Sequence, residues 1–243
     1  NEGNIIDYTV KMHRLDTEKR MDILLTQHVL TESDIKKLAE KIAFFHKNTI
    51  IIYQKDLLDI REKFNDLEGE KEYLSQQSDS SFSAIIDRTI EFSNKFLNKH
   101  KALIAKRLRD GFYRDCHGDL HSRNIFLLPD PVPFDCIEFN DDFRQIDVLN
   151  EVAFLCMDLD AFDRKDLSAF FLEYYNEYFP AMKTESERNL FIYYKSYRAN
   201  IRAKVSALRA KSATTDEERT RSLTAVKKYL YLMKSYMKEL EMI

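Results

Sequence analysis

Glycine is almost absent from this chain: Gly3, Gly69, Gly111 and Gly118 are the four present in 243 residues, where roughly 7% would be ordinary. Hairpin turns, collagen-like repeats and low-complexity segments depend on glycine at positive φ. The scarcity therefore excludes a hairpin-rich all-β fold. No two of the four lie near one another, so the chain holds neither a G-x-G-x-x-G loop nor a Walker A loop. Any nucleotide chemistry has to manage without both.

Apolar spacing supplies the positive signal. Thr31-Glu32-Ser33-Asp34 predicts a helix start, behind which Ile35, Leu38, Ala39, Ile42 and Phe45 share one face, with His46 closing the helix as a core or capping residue. Residues 55–80 are mixed and polar, and 75–81 read as a loop. Phe82, Ile86, Ile90, Leu97, Ile104 and Leu108 form one stripe of a helix over 82–109, stopped by Asp110-Gly111. From Asp147 onward the apolar residues again step by three and four: Val148, Val152, Leu155 and Leu159, then Leu190 to Leu208, then Leu223 to Leu240. Long amphipathic helices packed as a bundle satisfy that pattern.

Two blocks are not helical. One is the opening run Ile5–Met12, a strand with no partner nearby for its backbone groups, which suggests a chain that begins partway through a larger protein. The other is 112–137, with strands over 112–116, 125–128 and 132–137. The last two are joined through Pro129-Asp130-Pro131 as a hairpin. The net charge of −3 gives no pull toward nucleic acid or an anionic membrane, and no apolar run approaches the ~20 residues that span a bilayer. Three scattered cysteines without a C-x-x-C read as reduced, buried thiols of a cytoplasmic protein.

The chemical signal lies in His117-Gly118-Asp119-Leu120-His121-Ser122-Arg123-Asn124. The spacing H-x-D-x-x-x-x-N is that of a protein-kinase catalytic loop. There an Asp accepts the proton of the acceptor hydroxyl, and an Asn five residues on holds Mg²⁺. Asp135 stands 11 residues beyond Asn124, across the expected hairpin, where a second metal-holding carboxylate is needed. Oxygen donors with phosphate and water suit Mg²⁺. A rival reading takes Gly118-Asp119-Leu120-His121 as part of a two-metal phosphoesterase site. No histidine follows His121 to complete such a site.

The block Cys116–Ile125 resembles the catalytic loop of the aminoglycoside phosphotransferase-like kinases, which include choline and fructosamine kinases. The runs Pro133–Asn140, Ile146-Asp147-Val148 and Ala153–Asp160 are similar to one bacterial branch of that family, some members of which carry a fused P-loop kinase domain. The resemblance implies an α+β, predominantly α chain: a protein-kinase-like C-terminal lobe, made of a helix bundle and a small hairpin, with a remnant of the N-lobe. Residues 1–16 would be the last N-lobe strand and hinge, and 17–243 the C-lobe with its catalytic loop at 117–124. It implies ATP and Mg²⁺, with Asp119 as catalytic base, Asn124 and Asp135 as metal ligands, and His117 bracing the loop. Asp147 would open the next helix and bond back to the loop. Met12, His13 and Arg14 would meet the adenine, while the phosphate-pairing Lys would lie upstream. The reaction would be transfer of the γ-phosphoryl group to a hydroxyl of a small-molecule acceptor. A pseudokinase or regulatory binding module, serving a fused or associated P-loop kinase domain, is the reading from another class.

Two weaker features concern the acceptor. Lys195, Arg198, Arg202 and Arg209 lie within about 60° of one another on a helix, either a solvated face or a site for an acidic or phosphorylated acceptor. Asp158, Asp160, Asp163 and Asp166 form an acidic cluster that would attract a cationic acceptor, or else cap and solvate helix ends.

Overall fold

In the computed structural model, residues 14–77 and 81–242 are described. Helices α1 (Met21–Thr26) and α2 (Glu32–Asn48) open the described chain. Helix α2 begins in a capping box, with Thr31 accepting from the Asp34 N–H and Asp34 returning to the Thr31 N–H. Its buried stripe is Ile35, Leu38, Ala39, Ile42, Ala43 and His46. Phe45, expected on that stripe, is 40% exposed, and the helix runs two residues past His46.

The polar segment that gave no clear pattern is helical. It folds as α3 (Asp59–Asn65), a 3₁₀ stretch (Asp66–Glu70) and α4 (Lys71–Gln77). The expected loop at 75–81 therefore begins in helix; residues 78–80 lie outside the described ones. Helix α5 (Ser81–Arg109) ends in a Schellman motif. Phe112 N–H reaches Arg107 O and Gly111 N–H reaches Leu108 O, with Gly111 at φ 78°.

The strands are shorter than the sequence suggests. Strand β1 (Tyr113–Asp115) precedes the 117–124 loop, followed by β2 (Ile125–Phe126) and β3 (Val132–Pro133). Strands β2 and β3 form the expected hairpin, Ile125 opposite Pro133 and Phe126 opposite Val132. The strand expected over 132–137 stops at Pro133, and Asp135 turns into the left-handed region at φ 60°. A short helix, α6 (Asp141–Arg144), leads to β4 (Gln145–Asp147). Strand β4 pairs antiparallel with β1, setting Tyr113 opposite Asp147, a partnership that local sequence did not indicate.

Helices α7 (Val148–Ala161), α8 (Lys165–Tyr178), α9 (Glu185–Ser212) and α10 (Asp216–Glu241) complete the fold. Every residue of α7 is buried. It packs on α8 and α9, α2 covers α8, and α9 pairs along its length with α10. The described chain is thus mainly α, with two small two-stranded ladders. None of its described helices is long and apolar enough to cross a membrane. Cys116 and Cys156 are buried as expected, but Cys136 is exposed. Burial raises the Cys116 thiol pKa well above its usual range, with the nearby Glu151 charge adding to the effect, so it packs as an apolar group.

Candidate functional site

The loop between β1 and β2 is held from beneath by α7. The His117 N–H donates to both carboxylate oxygens of Glu151, 2.9 Å each, and the Gly118 N–H lies 3.4 Å from Glu151 Oε2. At the other end, the Ser122 N–H (2.9 Å) and hydroxyl (2.5 Å) donate to Asp158 Oδ2. At 100° per residue, positions 151 and 158 fall within about 20° of one another on a helix. One face of α7 therefore fixes both ends of the loop.

Between these anchors the chain is tightly constrained. Gly118 sits at φ 85°, and a Cβ there would come within 3.0 Å of Phe143 O and 3.1 Å of Arg144 Cβ. Its carbonyl accepts from Arg198 Nη1 at 3.1 Å, and Arg198 Nε donates to Asn150 Oδ1 at 2.7 Å. Ser122–Asn124 form one 3₁₀ turn that folds Asn124 back. Asn124 Nδ2 then donates to Asp119 Oδ2 (2.9 Å) and to Asp119 O (3.1 Å). His117 Nε2 meets Phe134 O at 2.8 Å, and its Nδ1 accepts from the Asp119 N–H at 3.3 Å. This histidine joins the loop to the segment carrying Asp135.

That segment is pinned on both sides of Asp135. Phe134 N–H reaches Asn124 O and Ile137 N–H reaches His117 O, both at 3.0 Å. Asp135 itself is exposed. Asp119, Asn124 and Asp135 are thus brought to one locality by backbone bonds joining the two segments.

His121 Nε2 stands 3.4 Å from Asp119 Oδ2, and its Nδ1 accepts from the Arg123 N–H at 3.2 Å. With one ring nitrogen taken by the loop, the histidine faces its own aspartate. Burial works against ionisation of Asp119, yet the bond to His121 and the charges of Arg198 and Arg202 hold its carboxyl below the usual range. A cavity of about 420 Å³ opens beside Asp119 and Gly118, walled by α3, α6, β4, α7 and α9, a volume suited to a small molecule.

Several expected roles are redistributed. Asp147 does open α7, accepting from the Leu149 N–H at 2.9 Å. It bonds not to the loop but to Arg107 of α5, at 2.6 and 2.9 Å. The loop-holding carboxylates are Glu151, which the sequence reading missed, and Asp158. The signal for Glu151 was a lone acid in the apolar run Val148–Phe154. Asp158 and Asp160 offer nothing to an acceptor: both are buried, Asp158 on Ser122 and Asp160 on Tyr236 Oη (2.6 Å) and Lys195 (2.5 Å). Asp166, in the same expected cluster, pairs with Arg164 at 2.8 Å. Nor is the basic stripe a uniform solvated face. Arg198 is buried under the loop, Arg202 half-buried against Tyr229, and Arg209 exposed. The expected hinge residues Met12 and His13, and the strand before them, lie outside the described residues; Arg14 is exposed.

Glu151 makes the site acid-sensitive. Burial opposes its charge, but His46 (Nε2 3.6 Å away), His117 and Arg198 hold its carboxyl below the ordinary value. A carboxyl depressed by folding stabilises the fold at pH above its unfolded value, about 4.3. That contribution is lost as pH falls through the lower folded value. Thermal melts should therefore be flat in this respect from neutrality to about pH 5 and decline below about 4.3. Glu151→Gln should have a lower melting temperature at neutral pH and a shallower acid decline. An acid limb equally steep in the variant would assign the effect to other carboxylates.

The sequence matches no established family profile. It is 31% identical over 213 residues to uncharacterised proteins of Mycobacterium tuberculosis and of Mycobacterium bovis. The alignment covers 85% of this chain and 42% of each relative, so the chain spans less than half the length of the curated relatives it matches.

Proposed function

We propose that this chain carries the acceptor side of a small-molecule phosphotransferase of the aminoglycoside phosphotransferase-like class. The described helices and ladders would be the C-terminal lobe of its kinase-like fold. The observation that carries the reading is the pairing of Asn124 with Asp119, which lines the cavity, in a loop fixed at both ends. The donor set fits Mg²⁺. Both Asn124 amide hydrogens are spent on Asp119, which leaves Oδ1 as the amide's ligating atom. Asp135 adds an exposed carboxylate on the adjoining segment. These are hard oxygen donors that leave room for phosphate and water. Bound Mg²⁺ would neutralise charge on the phosphates of ATP.

The rest falls to the chain's own groups. Asp119, ionised well below neutral pH, accepts a hydrogen bond from the acceptor hydroxyl and aims its oxygen at the γ-phosphorus. The hydroxyl proton passes to the Asp119 carboxylate as the O–P bond forms and the bond to ADP breaks. A weakly basic carboxylate suffices because phosphoryl transfer has a loose transition state, in which positioning matters more than prior deprotonation. Asn124 keeps Asp119 in register, and Arg198 holds the Gly118 carbonyl so that the backbone does not drift. The test is phosphorus NMR of the intact protein with ATP, Mg²⁺ and a panel of hydroxyl compounds. The expected result is stoichiometric ADP and phosphate ester, abolished by chelation. Nucleotide binding with no ester on any acceptor would instead favour a regulatory module.

A further inference from the structure

We infer that the cavity beside Asp119 is built for an uncharged acceptor alcohol with an apolar, ring-containing body, and not for an aminosugar or a phosphorylated sugar. This inference rests on the proposed phosphotransfer for the word acceptor, but its geometry stands independently.

The walls are apolar. Phe154 of α7, Tyr197, Ile201, Val205 and Leu208 of α9, Ile60 of α3 and Ile146 of β4 all line the cavity. At the mouth Phe139 is 83% exposed and Phe143 is 38% exposed, their ring centroids 6.2 Å apart. Exposed aromatic rings at the lip of a small-molecule cavity mark apolar contact with an occupant.

The charges around the cavity cancel. Lys55 lies 3.3 Å from Asp142 and 3.7 Å from Asp59, Lys63 lies 2.7 Å from Asp59, and Lys204 lies 3.0 Å from Asp66. Three lysines thus face three carboxylates. Deeper in, Asp147 is neutralised by Arg107, and the Arg198 guanidinium stacks over Phe154 at 4.7 Å. A polycation would find no surplus of carboxylate beyond Asp119, and a polyanion no unspent lysine. Either would have to break existing ion pairs and desolvate its own charges. An uncharged ring system bearing a hydroxyl leaves those pairs intact, buries its body on the aromatic wall and presents oxygen to Asp119.

Calorimetric titration of the intact protein tests this without ATP. The probes are naphthaleneethanol and cyclohexanemethanol, against kanamycin and glycerol phosphate. A neutral alcohol should bind tighter than either charged probe by about tenfold or more. Filling the cavity with Val205→Trp, or with Leu208→Trp at a more exposed position, should weaken it to a similar degree. Preferential binding of kanamycin or glycerol phosphate overturns the inference. So does the absence of binding by either alcohol, or alcohol binding unchanged in both variants. Running the phosphorus NMR assay alongside separates the two ideas. An alcohol that binds but is never phosphorylated leaves the cavity's chemistry standing and removes the transferase. Ester formed on kanamycin does the reverse.

Discussion

Replacing Asp119 with Asn should reduce phosphoryl transfer by about a thousandfold, within the span usual for loss of a general base, while leaving the fold intact. The variant is nearly isosteric, and an amide oxygen can still accept from Asn124 Nδ2. What it loses is the negative charge that accepts the hydroxyl proton and the electrostatic contact with His121, 3.4 Å away. The side chain is 37% exposed and the variant keeps the Asn124 contact, so stability should fall by only about 1 kcal/mol. The measurement pairs steady-state kinetics with a thermal melt. The loss should appear in kcat, with the acceptor KM little changed, because walls rather than charge supply ground-state binding. Undiminished turnover would remove Asp119 from the chemistry and the proposed reaction with it.

The second large effect concerns stability. Arg107 and Asp147 are each 1% exposed and joined by two hydrogen bonds. The remaining guanidinium nitrogen donates to Ala181 O at 2.7 Å and to Glu187 at 3.0 Å. Arg107→Met removes the cation and leaves Asp147 charged in an apolar setting. Breaking such a pair by deleting one partner costs about 3–5 kcal/mol, or roughly 10 °C in a domain of this size. Burial opposes the Arg107 charge, but the adjoining carboxylates raise its pKa far beyond the ordinary range. The guanidinium therefore stays charged at any working pH. Replacing both partners together, Arg107→Met with Asp147→Asn, should recover part of the loss, because the stranded charge is gone. A single variant that melts within about 1 kcal/mol of the parent would show that Asp147 has found solvent or another cation.

These expectations came from the sequence to different degrees. The 117–124 loop was legible because its chemistry depends on residue types at fixed spacing in one short segment. The long helices were legible because apolar period survives in α2, α5, α9 and α10 over many turns. Glu151 and Arg107 were not, because their roles exist only through contacts 34 and 40 residues away in the chain. The acidic cluster misled for a related reason. Asp158 and Asp160 are only two residues apart in sequence, yet that spacing sets them about 200° apart around a helix. One therefore enters the loop and the other meets α10 and Lys195 of α9. Nothing local reveals that α7 is enclosed on all sides. Strand β4 escaped notice because three residues carry no periodicity; its identity comes from β1 alone. The polar stretch 55–80 hid its helices because they are short and only partly buried.

The complete enclosure of α7 carries a consequence for how the loop keeps its shape. Glu151 and Asp158 are separated by seven residues, close to two full turns. The distance and angle between the two loop anchors are therefore set by helical phase, in the manner of two marks on a screw thread. Side chains along that stretch can differ in kind, provided they fill the same space, without moving either mark. A change of length by one residue would rotate one anchor by about 100° against the other. The tolerance of the site is thus counted in turns of a helix that itself stays out of solvent, and only secondarily in the residues that face the cavity.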